Sequence, residues 1–189
     1  MSEPTREPTP ATPDDGVRKR ILAAARAELA ASGFAAASVR TIAERAGTTA
    51  AMINYYFGSK RALHDMVVAE AQEQLFLRLA AAVAEGPERL PTRLALAYFD
   101  FLVEERDLQR LILRQMLDRP PSLRAGDMVG PLRGLLEQTF GDREVARQYA
   151  ISVFGAISGY FVYELVLGAF LGDDPSSPER LAARRRHII

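Results

Sequence analysis

Between Arg40 and Lys60 the chain sets hydroxyls (Thr41, Thr49), an amide (Asn54), phenols (Tyr55, Tyr56) and the cations Arg40 and Lys60 within a short span. These groups donate and accept hydrogen bonds or attract anions, and none is a nucleophile beside a base. Such a set suits contact with phosphate oxygens and base edges rather than bond breaking. Elsewhere the means of catalysis are thin. His64 and His187 are the only histidines and lie far apart, and no paired carboxylates, Gly-rich phosphate loop or Ser-His-Asp set stands out. The absence of cysteine excludes disulfides, thiolate metal sites and cysteine nucleophiles. The expectation is a protein that is not an enzyme and needs no metal and no cofactor.

The elements that must position these groups are legible from Ser38 to Leu63, SVRTIAERAGTTAAMINYYFGSKRAL. The pattern predicts a short helix, a tight turn at Gly47, a second short helix and then a longer one. Ser38, Thr48 or Thr49, and Ser59 stand where N-caps belong. Gly47 can take the left-handed backbone of a sharp turn, and Ala43, four residues earlier, is small enough for close helix approach. Ile42 and Ile53 flank the turn as a shared miniature core. Two short helices joined in this way form a helix-turn-helix, whose second helix fits the major groove of DNA. Ala50, Ala51, Asn54, Tyr55 and Tyr56 make that helix slim at its start and polar or aromatic at its tips.

The run RILAAARAELAASGF, then SVRTIAERAG, then INYYFGSKRAL resembles the TetR/AcrR family of transcriptional regulators over roughly residues 17–65. Shared features are an Ile-Ala pair before the turn, an aromatic cluster ending in Phe, and Ser-Lys followed by Leu. The chain departs from the family where Thr48 replaces a frequent Val, Ala51 a Gly, Asn54 a Tyr and Tyr56 a His, which leaves base preference unread. The resemblance implies an all-α fold, dimerisation through the last two long helices, and repression released by a ligand. It also implies a phosphate contact at Lys60. A cation at the start of a helix opposes the macrodipole at a cost of a few tenths of a kcal/mol, so Lys60, one of only two lysines in the chain, needs a compensating role.

The overall charge of zero conceals a polarity. Residues 1–16 carry Arg6 against Glu3, Glu7, Asp14 and Asp15, a net of −3. Residues 17–61 hold eight bases (Arg18, Lys19, Arg20, Arg26, Arg40, Arg45, Lys60, Arg61) against Glu28 and Glu44, a net of +6. The remainder nets −3. A basic tip on a mildly acidic body fits phosphate binding by one end only. The segment MSEPTREPTPATPDD lacks the apolar stretch of a secretory signal and reads as a disordered arm, and the expected compartment is the cytoplasm.

Beyond the tip every segment reads as helix. Apolar residues recur at helical spacing over 17–32, with Gly33 as the stop and Phe34 folding back on Leu29. A long helix follows over 59–84, then one opened by Pro91 or Thr92 with Leu94, Tyr98, Phe101 and Leu102 inward. Further helices are expected after Asp107 as a cap, over 123–140 with a kink or split at Gly130-Pro131, over 143–171 behind Asp142, and from Ser177-Pro178 into the basic end. The stretch Ala150–Leu171 is nearly long and apolar enough to span a bilayer, but Glu164 would lie deep in hydrocarbon. Its small residues Ser152, Gly155, Ala156 and Gly159 form one slim stripe, expected at a dimer interface, and no membrane contact is expected. Tyr98, Phe101, Met116, Phe161 and Glu164 are the candidates for lining a pocket for a small apolar effector, Glu164 as a paired structural acid or a ligand-orienting group.

The resulting expectation is all-α. It comprises a disordered arm (1–16), a three-helix helix-turn-helix DNA-binding domain (17–63) and a helical effector-binding and dimerisation domain (64–189). As a homodimer it would bind double-stranded DNA at a palindromic operator. Thr41, Thr49, Tyr56 and Lys60 would grip phosphates, Ala50, Ala51, Met52, Asn54 and Tyr55 would meet bases, and Arg40 could do either. The alternative is an all-helical ligand-binding or interaction protein without DNA function.

Overall fold

The computed structural model describes residues 15–117 and 125–188, and among them every regular element is a helix. Most of the expected arm, the Pro120-Pro121 break and the side chain of Met116 lie outside the described residues. The chain divides into two compact units, one up to Val67 and one from Val68.

The first unit contains α1 (Asp15–Ala36), α2 (Val39–Ala46), α3 (Ala50–Phe57) and the opening turns of α4 (Lys60–Ala84). Gly33 interrupts α1 with φ 76° and ψ 170°, a backbone that a side chain with Cβ adopts only at a cost. The core is aliphatic: Ile21, Leu29, Ile42, Ile53, Leu63 and Val67 are fully buried. Each such side chain contributes about 1.5–3 kcal/mol by leaving water.

The second unit holds the rest of α4 with α5 (Leu90–Glu104), α6 (Arg106–Leu117), α7 (Ala125–Phe140), α8 (Arg143–Val162), α9 (Glu164–Leu171) and α10 (Pro178–Ile188). Leu94, Tyr98, Phe101 and Leu102 of α5 are buried, as their spacing predicts. The Tyr98 hydroxyl and the Ser158 Oγ share a buried hydrogen bond of 2.8 Å that joins α5 to α8. The Arg185 guanidinium grips both carboxylate oxygens of Asp100 at 2.7 and 2.8 Å, fastening α10 to α5.

Several boundaries differ from the sequence reading: α1 already begins at Asp15, inside the expected arm, and α5 at Leu90 behind Arg89 rather than at Pro91 or Thr92. Asp107 lies inside the first turn of α6 rather than capping it, because the Glu105 carbonyl already accepts from the Gln109 amide at 2.7 Å. Of the kink or split expected at Gly130-Pro131, the split does not occur, since α7 runs through both residues. The expected single helix over 143–171 is broken at Tyr163, where α8 and α9 meet at a bend of 79°. The cause is tertiary. Tyr160 donates to the Pro175 carbonyl at 2.6 Å, and the Ser176 hydroxyl donates to the Glu164 carboxylate. The loop after α9 thus holds both sides of the bend. Among the described residues no single helix is long and apolar enough to cross a membrane, although the bent pair would pass by length and composition together.

Candidate nucleic-acid interface and effector cavity

The turn between α2 and α3 is built as its residues require. Ser38 Oγ accepts from the Thr41 amide at 3.0 Å and caps α2. Gly47 sits at φ 62°, ψ 42°, and the Thr48 amide reaches back to the Ala43 carbonyl at 3.0 Å, closing a Schellman turn. Thr49 Oγ1 then accepts from the Met52 amide at 3.3 Å and starts α3. Ile53 and Phe57 point inward beside Ile42 and Ala43 on the buried side of the unit. Ser59 Oγ caps α4 through the Ala62 amide at 3.1 Å.

Burying Ile53 and Phe57 turns the opposite face of α3 outward. Thr49, Ala50, Ala51, Asn54 and Tyr55 are exposed, with Thr41 and Arg40 of α2 exposed too, whereas Met52, Tyr56 and Lys60 are half-buried. Tyr55 and Tyr56 meet edge to face at 5.3 Å. Arg40 is paired with Glu44 at 2.9 Å, a contact that raises its pKa. Thr41 shares a 2.8 Å hydrogen bond with Ser38. The outward face is short, slim at its start and flanked by cations, the shape and charge that a major groove admits.

Lys60 has a role that sequence reading missed. Its ammonium lies 4.6 Å from the centre of the Phe34 ring, with the Arg61 guanidinium at 5.3 Å from the same ring and His64 packed edge-on at 4.9 Å. Phe34 therefore offsets the unfavourable position of a cation at the start of α4. The signal was present, since Phe34 directly follows the glycine stop, but its partners lie some thirty residues on.

In the second unit a cavity of about 620 Å³ opens between α4, α5, α7 and α8. Its wall is almost wholly apolar, with Leu75 and Phe76 from α4, Leu94 and Tyr98 from α5, Leu136 from α7 and Phe154 from α8. Tyr98 stacks on Phe154 at 5.3 Å, and burial pushes its phenol up to about 12 against the opposing pull of the Ser158 hydrogen bond. Arg133, Arg147 and Tyr149 also line it, and partial burial raises the Tyr149 phenol.

Of the residues expected around an effector, Tyr98 lines this cavity while Phe101, Phe161 and Glu164 stand elsewhere. Phe101 is buried and borders a smaller depression of about 300 Å³ with Gln74 and Arg78. Phe161 packs on Phe99 at 5.7 Å. Glu164 accepts from Ser176 and lies 4.0 Å from Arg106, a structural acid at the bend. Aromatic identity does not reveal which face of a helix borders a void, so Phe76, Arg133, Arg147 and Tyr149 were missed. Of the small-residue stripe, Ser152, Gly155 and Ala156 are exposed and Gly159 is half-buried. The Arg184 guanidinium donates to the Ala156 carbonyl at 2.9 Å, so α10 of the same chain reaches this stripe. More apolar surface is open on α9, where Leu165 is 92% and Phe170 85% exposed.

Comparison with known proteins agrees with this geometry. The family of bacterial regulatory proteins, tetR family, matches residues 21–66, the segment that forms the helix-turn-helix. No curated protein sequence matches the chain. Among solved structures, a candidate transcriptional regulator from Streptomyces coelicolor is 26% identical, with a TM-score of 0.67 over 91% of this chain and 96% of that one. A TetR-family regulator from Streptomyces coelicolor A3 is 22% identical, with a TM-score of 0.52 over 96% and 94%. The transcriptional regulator FadR from Bacillus subtilis, solved in complex with stearoyl-CoA, is 20% identical, with a TM-score of 0.64 over 90% and 95%. Residues 21–66 thus carry a helix-turn-helix of the tetR type, and the chain is similar in fold to these regulators.

Proposed function

We infer that the chain acts as a homodimeric, cytoplasmic repressor that leaves a palindromic operator when a small apolar effector binds. The observation that carries this is the exposed face of α3 opposite buried Ile53 and Phe57, within a segment whose net charge is +6 over residues 17–61. Two such faces in successive major grooves would lie about 34–36 Å apart. Thr41, Thr49, Tyr56 and Lys60 hold phosphates and fix register, while Ala50, Ala51, Met52, Asn54 and Tyr55 approach base edges and thymine methyls, with Arg40 free to serve either purpose. Thr49 keeps its hydroxyl proton for a phosphate, because the helix cap uses only its lone pair.

The effector enters the cavity of the second unit. Support comes from its size, within the range of roughly 300–1,000 Å³ of small-molecule sites, and from its apolar wall. Because Leu75, Phe76 and Leu79 of α4 form part of that wall, filling it repositions α4 and with it the spacing of paired headpieces. DNA affinity then falls because both recognition helices no longer fit at once. The dimer contact draws on the stripe of Ser152, Gly155, Ala156 and Gly159 together with the exposed apolar side chains of α9. Selection of bound sites from random duplex DNA tests the reading. A two-fold symmetric site is expected, and asymmetric sites or none would overturn the dimeric operator.

A further inference from the structure

We propose that the cavity takes an amphiphile with a long apolar tail and an anionic head, and that Arg133 and Arg147 at its wall read the head. This deepens the effector reading above and rests on it.

The charge of the wall carries the argument. Among the described residues, Arg133 of α7 and Arg147 of α8 are the only ionisable side chains other than tyrosine that line the cavity, and no carboxylate among them lines it. Their side chains are 57% and 43% exposed, although the wall between them is apolar. Each arginine therefore lays its methylene stem along the wall and keeps its guanidinium in water at the rim. Neither guanidinium is held tightly. Arg133 lies 3.9 Å from Glu137, a carboxylate that Arg143 approaches more closely at 3.2 Å. Arg147 lies 4.0 Å from Glu144 on the same helix. Pairs this long and this exposed contribute little, so both forks can turn to a ligand at small cost.

The interior makes the complementary demand. The buried Tyr98 hydroxyl is already paired with Ser158, so it asks for no polar ligand atom. A polar head carried inward would lose its water without gaining a partner. The ligand must then be polar at one end only, with that end at the rim. There, guanidinium forks favour a planar carboxylate or a phosphate, which accept two parallel hydrogen bonds. Methylene and water occupy comparable space, about 30 Å³ for water, so the cavity of about 620 Å³ accommodates a chain of a dozen or more carbons.

Calorimetric titration of the full chain with dodecanoate, dodecyl phosphate, dodecanol and dodecylammonium, each below its micelle concentration at neutral pH, tests this. The anions are expected to bind at least about tenfold more tightly than the alcohol, as charge-assisted hydrogen bonds imply, and the ammonium most weakly. The order of dodecanoate and dodecyl phosphate distinguishes a carboxylate from a phosphate head. The double variant Arg133→Gln/Arg147→Gln keeps most of the apolar stems. It should bind the anions no better than the alcohol while its alcohol affinity, helical circular dichroism and DNA binding stay as in the parent. Equal binding of anions and alcohol by the parent, or an anion preference that survives in the double variant, would overturn the arginine assignment while leaving the cavity as an effector site. Binding of none of the four by a chain that still binds DNA would overturn both.

Discussion

The headpiece and the body are both helical, yet they are held by contacts of different range. In the headpiece the turn is closed by Ser38, Gly47 and Thr49, each bonded within five residues of itself, and the core side chains Ile42 and Ile53 stand eleven residues apart. In the body the decisive contacts span the unit: Tyr98 to Ser158, Arg185 to Asp100, and a cavity wall drawn from Leu75 to Phe154. Short-range closure yields a small unit with one stiff outward face, which suits a fixed DNA groove. Assembly from distant segments leaves a void between helices, and a void can vary in shape and lining without disturbing the helices that bound it.

This contrast can be broken from either side. The largest effect is expected from Ile53→Ala in the headpiece, a fully buried site where the deletion costs about 2–5 kcal/mol. DNA binding should vanish in gel-shift assays while calorimetry still detects ligand in the cavity. Loss of both together would show that the two regions are not separable.

In the body, Tyr98→Phe strands the buried Ser158 hydroxyl and should cost about 1–3 kcal/mol in urea unfolding. Adding Ser158→Ala should recover most of that loss, since neither partner is then left without the other. Tyr98 also sets a pH signature. Its phenol titrates at about 12 when folded against 10.0 for the ordinary group, so the unfolded chain ionises first. The associated stability is complete below pH 10.0, declines as pH rises towards 12, and should be absent from that window in Tyr98→Phe.

Smaller again is Ser38→Ala, which removes the cap of α2 at a cost of about 1 kcal/mol, measurable as a lower thermal midpoint with the cavity unaffected. The smallest stability change is expected for Lys60→Ala, which exchanges contact with Phe34 for relief from the helix dipole. Its DNA effect sharpens the comparison. Affinity should fall on all sequences alike and the salt slope should drop by about 1. An unchanged slope would confine Lys60 to its packing on Phe34.

Range of contact also explains what could be read in advance. Cap and turn residues reveal themselves because serine, threonine and glycine act on backbone a few positions away, so α2, α3 and the start of α4 were legible to within a residue. The bend at Tyr163 was not. The apolar run passes through it without a proline or a glycine at the break, and what bends the chain is the hold of Pro175 and Ser176 on Tyr160 and Glu164. Arg133 and Arg147 were equally silent, because their sequence neighbours are those of ordinary solvated helix faces.

The sequence by itself determined the all-helical class, the helix-turn-helix with its caps and glycine turn, and the concentration of positive charge at that end. All three depend on residue type and on spacings of a few positions. Only the tertiary structure decided where α8 ends, which aromatic side chains border a void, and which arginines line it. Those outcomes depend on how helices far apart in the chain pack, and helical periodicity names an inward face without naming what that face will meet.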